Sequence, residues 1–204
     1  VKLKLAGNSL RDLIAWQDGL VTAQDEAAML TSYIASPHPH DRIIDLCAAP
    51  GGKTTHLAEL TADKAEITAL ELQPHRALLI QEQAERLNLN SIKTAIGDAA
   101  EYRSDDNYDI VIADVPCSGL GLLGRKPELR INMSYDKIQE LVKIQRDILV
   151  NAATLAKAGG CLIYSTCTIN PEENQAQIKW LMEESEFSGK FTVVDISDKL
   201  PQPL

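Results

Sequence analysis

The chain alternates short apolar runs with longer segments in which apolar residues recur every three or four positions. RIIDL from Arg42, EITALEL from Glu66, IKTAI from Ile92, YDIVIAD from Tyr108, CLIYST from Cys161 and FTVVDI from Phe191 are rich in β-branched residues and read as strands. Between them, TTHLAEL from Thr54, HRALLIQEQAERL from His75, a stretch from about Tyr135 to Ala156 and a segment from Pro171 read as helices. Strands apolar on both faces and joined by helical crossovers predict a doubly wound, mostly parallel α/β fold. Thr22 and Asp25 form a capping-box pattern ahead of AAMLTSYIA, a helix that Pro37 stops. Asn170, Pro171 and Glu173 form a second, with asparagine as N-cap, proline at the first helical position and glutamate completing the box.

With 204 residues and 45% hydrophobic content the chain can bury one substantial core, and one domain is expected. Residues 1–40 read as a lead-in segment whose helix packs on the main domain, which occupies 41–204. The apolar stretches are too short for a membrane-spanning helix, and VKLKLAGNSLRD lacks the continuous apolar region of a secretory signal. Cys47, Cys117, Cys161 and Cys167 contain no C-x-x-C pair, which argues against a zinc site and for reduced thiols in the cytoplasm. The net charge of −9 opposes nucleic-acid binding as a bulk property. Its distribution leaves one basic cluster, Arg125, Lys126 and Arg130, which reads either as a phosphate contact or as a solvated loop.

The segment DLCAAPGGKTTHL follows the first strand and opens a helix, the setting of a nucleotide-binding loop. A triphosphate-binding P-loop would need glycine where Cys47 stands, although Asp114 after an apolar strand mimics the acid that holds magnesium in such enzymes. An acid about 20 residues beyond a glycine loop hydrogen-bonds ribose hydroxyls in these folds. Glu71 stands at that spacing from Gly51. Asp98 is placed to meet an adenine, or forms only an Asx turn beside Gly97. DVPCSGLG and STCT end the fourth and fifth strands, so Asp114, Cys117 and Cys167 should share the crevice at the strands' C-terminal edge. Cys161, inside a strand, reads as a small core residue. Cys167, before a capped helix, should have its thiolate favoured by the helix dipole. Paired thiols suit cytosine methylation at C5, because a thiolate adding to C6 makes C5 enamine-like, and an acid and a base must then handle the ring charge and the C5 proton.

DLCAAPGGKT, DVPCSGLG and STCT together, with GLVTAQDEAAML upstream and INPEEN downstream, resemble the Nol/Nop/Sun family of RNA 5-methylcytosine methyltransferases, and are most like its bacterial Fmu/Sun type. The resemblance runs from about Gly19 to Gln177. It implies a Rossmann-like S-adenosylmethionine-dependent methyltransferase fold acting on ribosomal RNA, that of the small subunit above all, with S-adenosyl-L-methionine as cofactor and no metal. By this resemblance Cys47, Ala48, Ala49, Pro50, Gly51, Gly52 and Lys53 contact the cofactor, Glu71 the ribose, Asp98 the adenine and Asp114 the methionine end. Cys167 is then the nucleophile and Cys117 the residue that assists product release, with Asp114 and Lys53 completing the catalytic set. Family members often carry aspartate where Glu71 stands. The chain also stops at DKLPQPL, so a fragment lacking the last strand and an N-terminal RNA-binding region is expected. Three alternatives remain open: another RNA, such as tRNA, as substrate; a non-catalytic ribosome-assembly factor; and a DNA cytosine methyltransferase, in which the cysteine of the PC motif would be the nucleophile.

Overall fold

The computed structural model describes residues 9–200. The start of the lead-in segment (1–8) and the chain end (201–204), where the expected truncation before a last strand falls, lie outside the described residues. Twelve regular elements follow one another: α1 (Ile14–Gln17), α2 (Glu26–Ala35), β1 (Arg42–Asp45), α3 (Gly52–Leu60), β2 (Glu66–Glu71), α4 (Pro74–Arg86), β3 (Ile92–Ile96), β4 (Tyr108–Asp114), α5 (Leu129–Asn132), α6 (Tyr135–Leu155), β5 (Ala156–Ser165) and α7 (Gln175–Glu183). The five strands are all parallel, in the order β3-β2-β1-β4-β5. No described helix is long and apolar enough to cross a membrane.

Alternate strand residues feed two cores, as the two-faced apolar pattern requires. Ile44, Leu46, Leu70, Val111 and Ala113 pack with Ile148, Ala152 and Leu155 of α6 on one face. Ile43, Ile67, Ile110 and Ile112 pack with Ala35 of α2 and Leu57 and Ala58 of α3 on the other. Cys161 packs against this second core, as a small core residue should. Strand order reverses between β1 and β4, which opens a crevice at their C-terminal ends, where ligands of open α/β sheets bind.

Four local expectations are corrected. Asp25 alone caps α2, its carboxylate accepting from Ala27 N–H, and Thr22 is not the N-cap. β5 starts at Ala156 rather than Cys161: Ala156 pairs with Tyr108, and the two glycines of AKAGG fall in a register irregularity before pairing resumes at Cys161, with Gly159 at φ +77°. FTVVDI forms no strand: Val193 and Val194 are 75% and 64% exposed, and β-branched residues without a paired neighbour carry no strand of their own. The segment from Pro171 is a single 3-10 turn, Pro171–Glu173, which breaks at Asn174 before α7 begins. Asn170 does cap this turn through Glu172 N–H, but Glu173 does not complete the box and turns inward instead.

Candidate active site

The register of β4 against β5 sets the site, because Asp114 lies opposite Ser165 and both strands end there. Cys117 and Cys167 follow within a few residues on the neighbouring loops, and their Sγ atoms approach to 3.2 Å. Ser165 Oγ donates to Asp114 Oδ1 at 2.7 Å, and Lys53 Nζ, from the first turn of α3, donates to Asp114 Oδ2 at 2.7 Å. Three strand exits, after β1, β4 and β5, thus bring Lys53, Asp114, Cys117 and Cys167 together.

Close loop packing makes this approach possible. Gly121 N–H donates to Cys167 O at 3.1 Å, and a Cβ on Gly121 would lie 2.8 Å from that oxygen. Only glycine fits there without moving the Cys167 backbone. Ser118 Oγ and Thr168 Oγ1 are hydrogen-bonded at 2.8 Å, and Asn174 Nδ2 donates to Thr168 O at 3.0 Å.

The two thiols differ electrostatically. The hydrogen bond from Cys117 lowers Cys167 to about 7, against burial and the Asp114 charge and with help from Lys53. The same hydrogen bond, followed by burial, pushes Cys117 up. Cys167 is therefore the more readily ionised of the two thiols and Cys117 the one that keeps its proton. The sequence expectation of an easily ionised Cys167 is met by a different cause: the next helical element is one 3-10 turn, and the neighbouring thiol does the work expected of a helix dipole.

The glycine-loop residues Cys47–Lys53 run from β1 into α3, with Gly51 in a left-handed conformation at φ +106° and Arg76 Nη2 donating to Ala49 O at 3.0 Å. Burial, then the nearby charges of Asp45, Asp114 and Glu71, pushes the Cys47 thiol up, so it stays neutral. Glu71 is 3% exposed, and its Oε1 accepts from Gln73 N–H at 3.1 Å and Arg76 Nη1 at 3.3 Å. Asp98 is exposed and forms the Asx turn, accepting from Ala100 N–H at 2.8 Å. The basic cluster is exposed, and Arg125 is ion-paired with Asp25 at the start of α2. The two charges line an open groove of about 560 Å³ with Ala23, Gln24 and Glu26. Among the described residues no cluster of three or more His, Cys, Asp or Glu side chains could hold a metal.

Several site residues carry no motif signal of their own. Gln145 of α6 is fully buried and donates to Pro116 O at 2.9 Å and Glu173 Oε1 at 3.0 Å. Gln24 Nε2 is buried without a partner, 3.9 Å from where a Cβ on Gly52 would sit. Asp45, at the end of β1, accepts from Thr54 Oγ1 at 2.7 Å, while its Oδ1 has no partner. Burial pushes Asp45 up to about 6, with the Thr54 hydrogen bond acting against it. An acid raised in the folded state favours folding while protonated, so this contribution is complete below about 3.8 and is lost as pH rises to about 6. The expected result for Asp45→Asn is a stability that gains ~2 kcal/mol on the parent between about pH 4 and pH 7. Denaturant unfolding at the two pH values checks this, and an unchanged difference between the proteins would refute it.

The sequence model of the family described as 16S rRNA methyltransferase RsmB/F matches residues 32–197. Two proteins named "Probable ribosomal RNA small subunit methyltransferase B" are similar. That of Bacillus subtilis (strain 168) is 38% identical over 185 residues, covering 89% of this chain and 41% of the relative. That of Synechocystis sp. is 40% identical over 189 residues, covering 90% and 42%. The chain therefore spans about two fifths of the length of these curated relatives. Among solved structures, NSun6 from Pyrococcus horikoshii with SFG superposes with a TM-score of 0.81 at 33% identity, covering 87% of this chain and 46% of that one. The fold is that of the Rossmann-like methyltransferases, as the family resemblance implied, on the parallel sheet that the apolar pattern predicted.

Proposed function

The chain belongs to the RsmB/F family of 16S rRNA methyltransferases, and from that footing we propose that it is the catalytic part of an S-adenosylmethionine-dependent enzyme that methylates C5 of a cytosine in small-subunit ribosomal RNA, in the cytoplasm. The observation that carries this reading is the 3.2 Å approach of two thiols of opposite tendency beside the Lys53–Asp114 pair. A single thiol would serve many enzymes. A thiolate and a neighbouring thiol, with a cation and a carboxylate within the same crevice, match the needs of cytosine C5.

The crevice at the strand-order reversal fits the cofactor. Beside Gly52, among the described residues and apart from its chain neighbours and its own helix backbone, only Gln24 side-chain atoms come within 4 Å of where a Cβ would stand, so the loop face is open to a ligand. Among the described residues only Oε1 of Glu71 accepts a hydrogen bond, which leaves Oε2 suited to a ribose hydroxyl. The residues that would hold the cofactor are Cys47, Ala48, Ala49, Pro50, Gly51, Gly52, Lys53, Glu71, Asp98 and Asp114. When bound, S-adenosylmethionine supplies an electrophilic methyl group. Cys167 adds to C6 of the cytosine, forming a carbon–sulfur bond and making C5 nucleophilic. The Lys53 ammonium, held by Asp114, offsets the negative charge that develops on the ring. After transfer a base or water takes the C5 proton, the C5–C6 double bond re-forms and the C6–sulfur bond breaks to release Cys167 as thiolate, a release that Cys117 assists. Arg125, Lys126 and Arg130 lie past the PC loop, where they would meet RNA phosphates.

The test supplies purified protein with methyl-labelled cofactor and, separately, unmodified 16S rRNA transcript, tRNA and DNA. Label recovered as 5-methylcytosine from the ribosomal transcript is the expected result. Label in tRNA alone would move the substrate within the family. Label in DNA would overturn the reading, as would label in a different base.

A further inference from the structure

Glu173 is 0% exposed, yet four groups donate to its carboxylate: Ser118 N–H at 2.8 Å, Ser118 Oγ at 2.5 Å, Gln145 Nε2 at 3.0 Å and Asn170 Nδ2 at 3.2 Å. Burial opposes its charge, but the hydrogen bonds from Ser118, Gln145 and Asn170 prevail and hold it below the ordinary glutamate range. These donors are not scattered over the fold. Ser118 directly follows Cys117, Asn170 lies on the loop of Cys167, and Gln145 also holds Pro116 O just before Cys117. Tyr164, on the strand that leads to Cys167, donates from its hydroxyl to Glu173 O at 2.8 Å.

We propose that Glu173 is a positioning residue that sets the separation of Cys117 and Cys167 by clamping together the two loops that carry them. Neither loop is regular structure. Without the clamp, the direct ties between them are Ser118–Thr168, Gly121–Cys167 and the contacts of the thiols themselves. The chemistry of the clamp selects glutamate. All four groups facing it are donors, so an acceptor-only carboxylate satisfies them, whereas an amide of the same shape would turn its own donor on two of them. Aspartate, one methylene shorter, would leave the donors without an acceptor. This role explains why Glu173 abandons the helix cap that its spacing offers.

The inference takes its importance from the two-thiol reading above, but its test uses neither RNA nor cofactor, so failure of one is separable from failure of the other. Alkylation of Cys167 by iodoacetamide is followed against pH by peptide mass in the full chain, in Glu173→Gln, in Ser118→Ala, and in both combined with Cys117→Ala. The expected midpoint near 7 in the parent rises in Glu173→Gln toward the free-thiol value of about 8.5, because the Cys117 hydrogen bond is lost. Ser118→Ala, which removes one side-chain donor to Glu173 together with the Ser118–Thr168 tie and keeps the Ser118 N–H donor, gives a smaller rise in the same direction and serves if Glu173→Gln does not fold. In the Cys117→Ala background the midpoint is already high, and neither substitution moves it further. A brace that merely stabilises the fold would lower the melting temperature and leave the midpoint alone. An unmoved midpoint in folded Glu173→Gln, or in Ser118→Ala where Glu173→Gln does not fold, would overturn the proposal. A further equal rise on top of Cys117→Ala would also overturn it.

Discussion

Cys167→Ala is expected to abolish methyl transfer, on the order of 10⁴-fold or more, and to form no covalent adduct with RNA, whereas Cys117→Ala is expected to accumulate one. The first effect follows from chemistry: with no thiolate to add at C6, C5 remains too poor a nucleophile. The second follows from the division of labour between two sulfurs 3.2 Å apart. Removing Cys117 leaves the nucleophile but removes the group that assists its expulsion, so the product stays attached. The geometry adds a pH signature. Cys117 also supplies the hydrogen bond that lowers Cys167, so in Cys117→Ala the thiolate population at neutral pH falls, and the adduct forms faster at about pH 8.5 than at pH 7. A denaturing gel of each variant incubated with RNA and cofactor reads both outcomes. An adduct in Cys167→Ala that is absent from Cys117→Ala would reverse the roles and make the site resemble a DNA cytosine methyltransferase.

Much of this fold is legible in the apolar pattern, for an identifiable reason. Runs such as RIIDL and YDIVIAD are buried on both faces between helices, so nearly every residue reports the same environment and the strand stands out. HRALLIQEQAERL and the segment ending at Leu155 are long enough for the helical period to show. The pattern fails where local propensity and tertiary context part. FTVVDI has a strand's composition but no paired strand, and Ala156, ahead of the glycines of AKAGG, already pairs with Tyr108 before the register resumes at Cys161.

The site shows the same division. Cys117, Cys167, Asp114 and Lys53 were readable because strand ends in a doubly wound sheet share an edge, and the structure brings all four together. Glu173 was visible as a glutamate three residues after an asparagine, the spacing of a cap, and only the inward turn of its side chain reveals four donors waiting for it. Gln145 is one polar position on a long helix that becomes informative only when its facing partner, Pro116 O, is known. Gly121 lies within a quoted motif, but the need for glycine appears only when Cys167 O is seen pressed against it. Long-range pairing of this kind leaves no period or spacing in the chain.

The Lys53–Asp114 pair gives the other large expected effect, and its two members should act on the nucleophile in opposite directions. Lys53 favours the Cys167 thiolate and Asp114 disfavours it, each through its charge. Lys53→Met therefore removes the favourable charge and leaves Asp114 uncompensated, so the pH midpoint of Cys167 alkylation rises. Asp114→Asn removes the repelling charge and frees Lys53, so the midpoint falls, although Asn can still accept from Ser165. Methyl transfer nonetheless drops in both, by about 10² to 10³-fold, the usual cost of losing one preorganised charge or donor at a developing anion. In Lys53→Met the cation near the ring is gone, and in Asp114→Asn nothing holds it in place, however readily the thiolate forms. Paired measurement of alkylation and of methyl transfer at saturating cofactor separates nucleophile ionisation from ring stabilisation. Midpoints that move the same way in the two variants would show that the pair does not act on Cys167 through its charges.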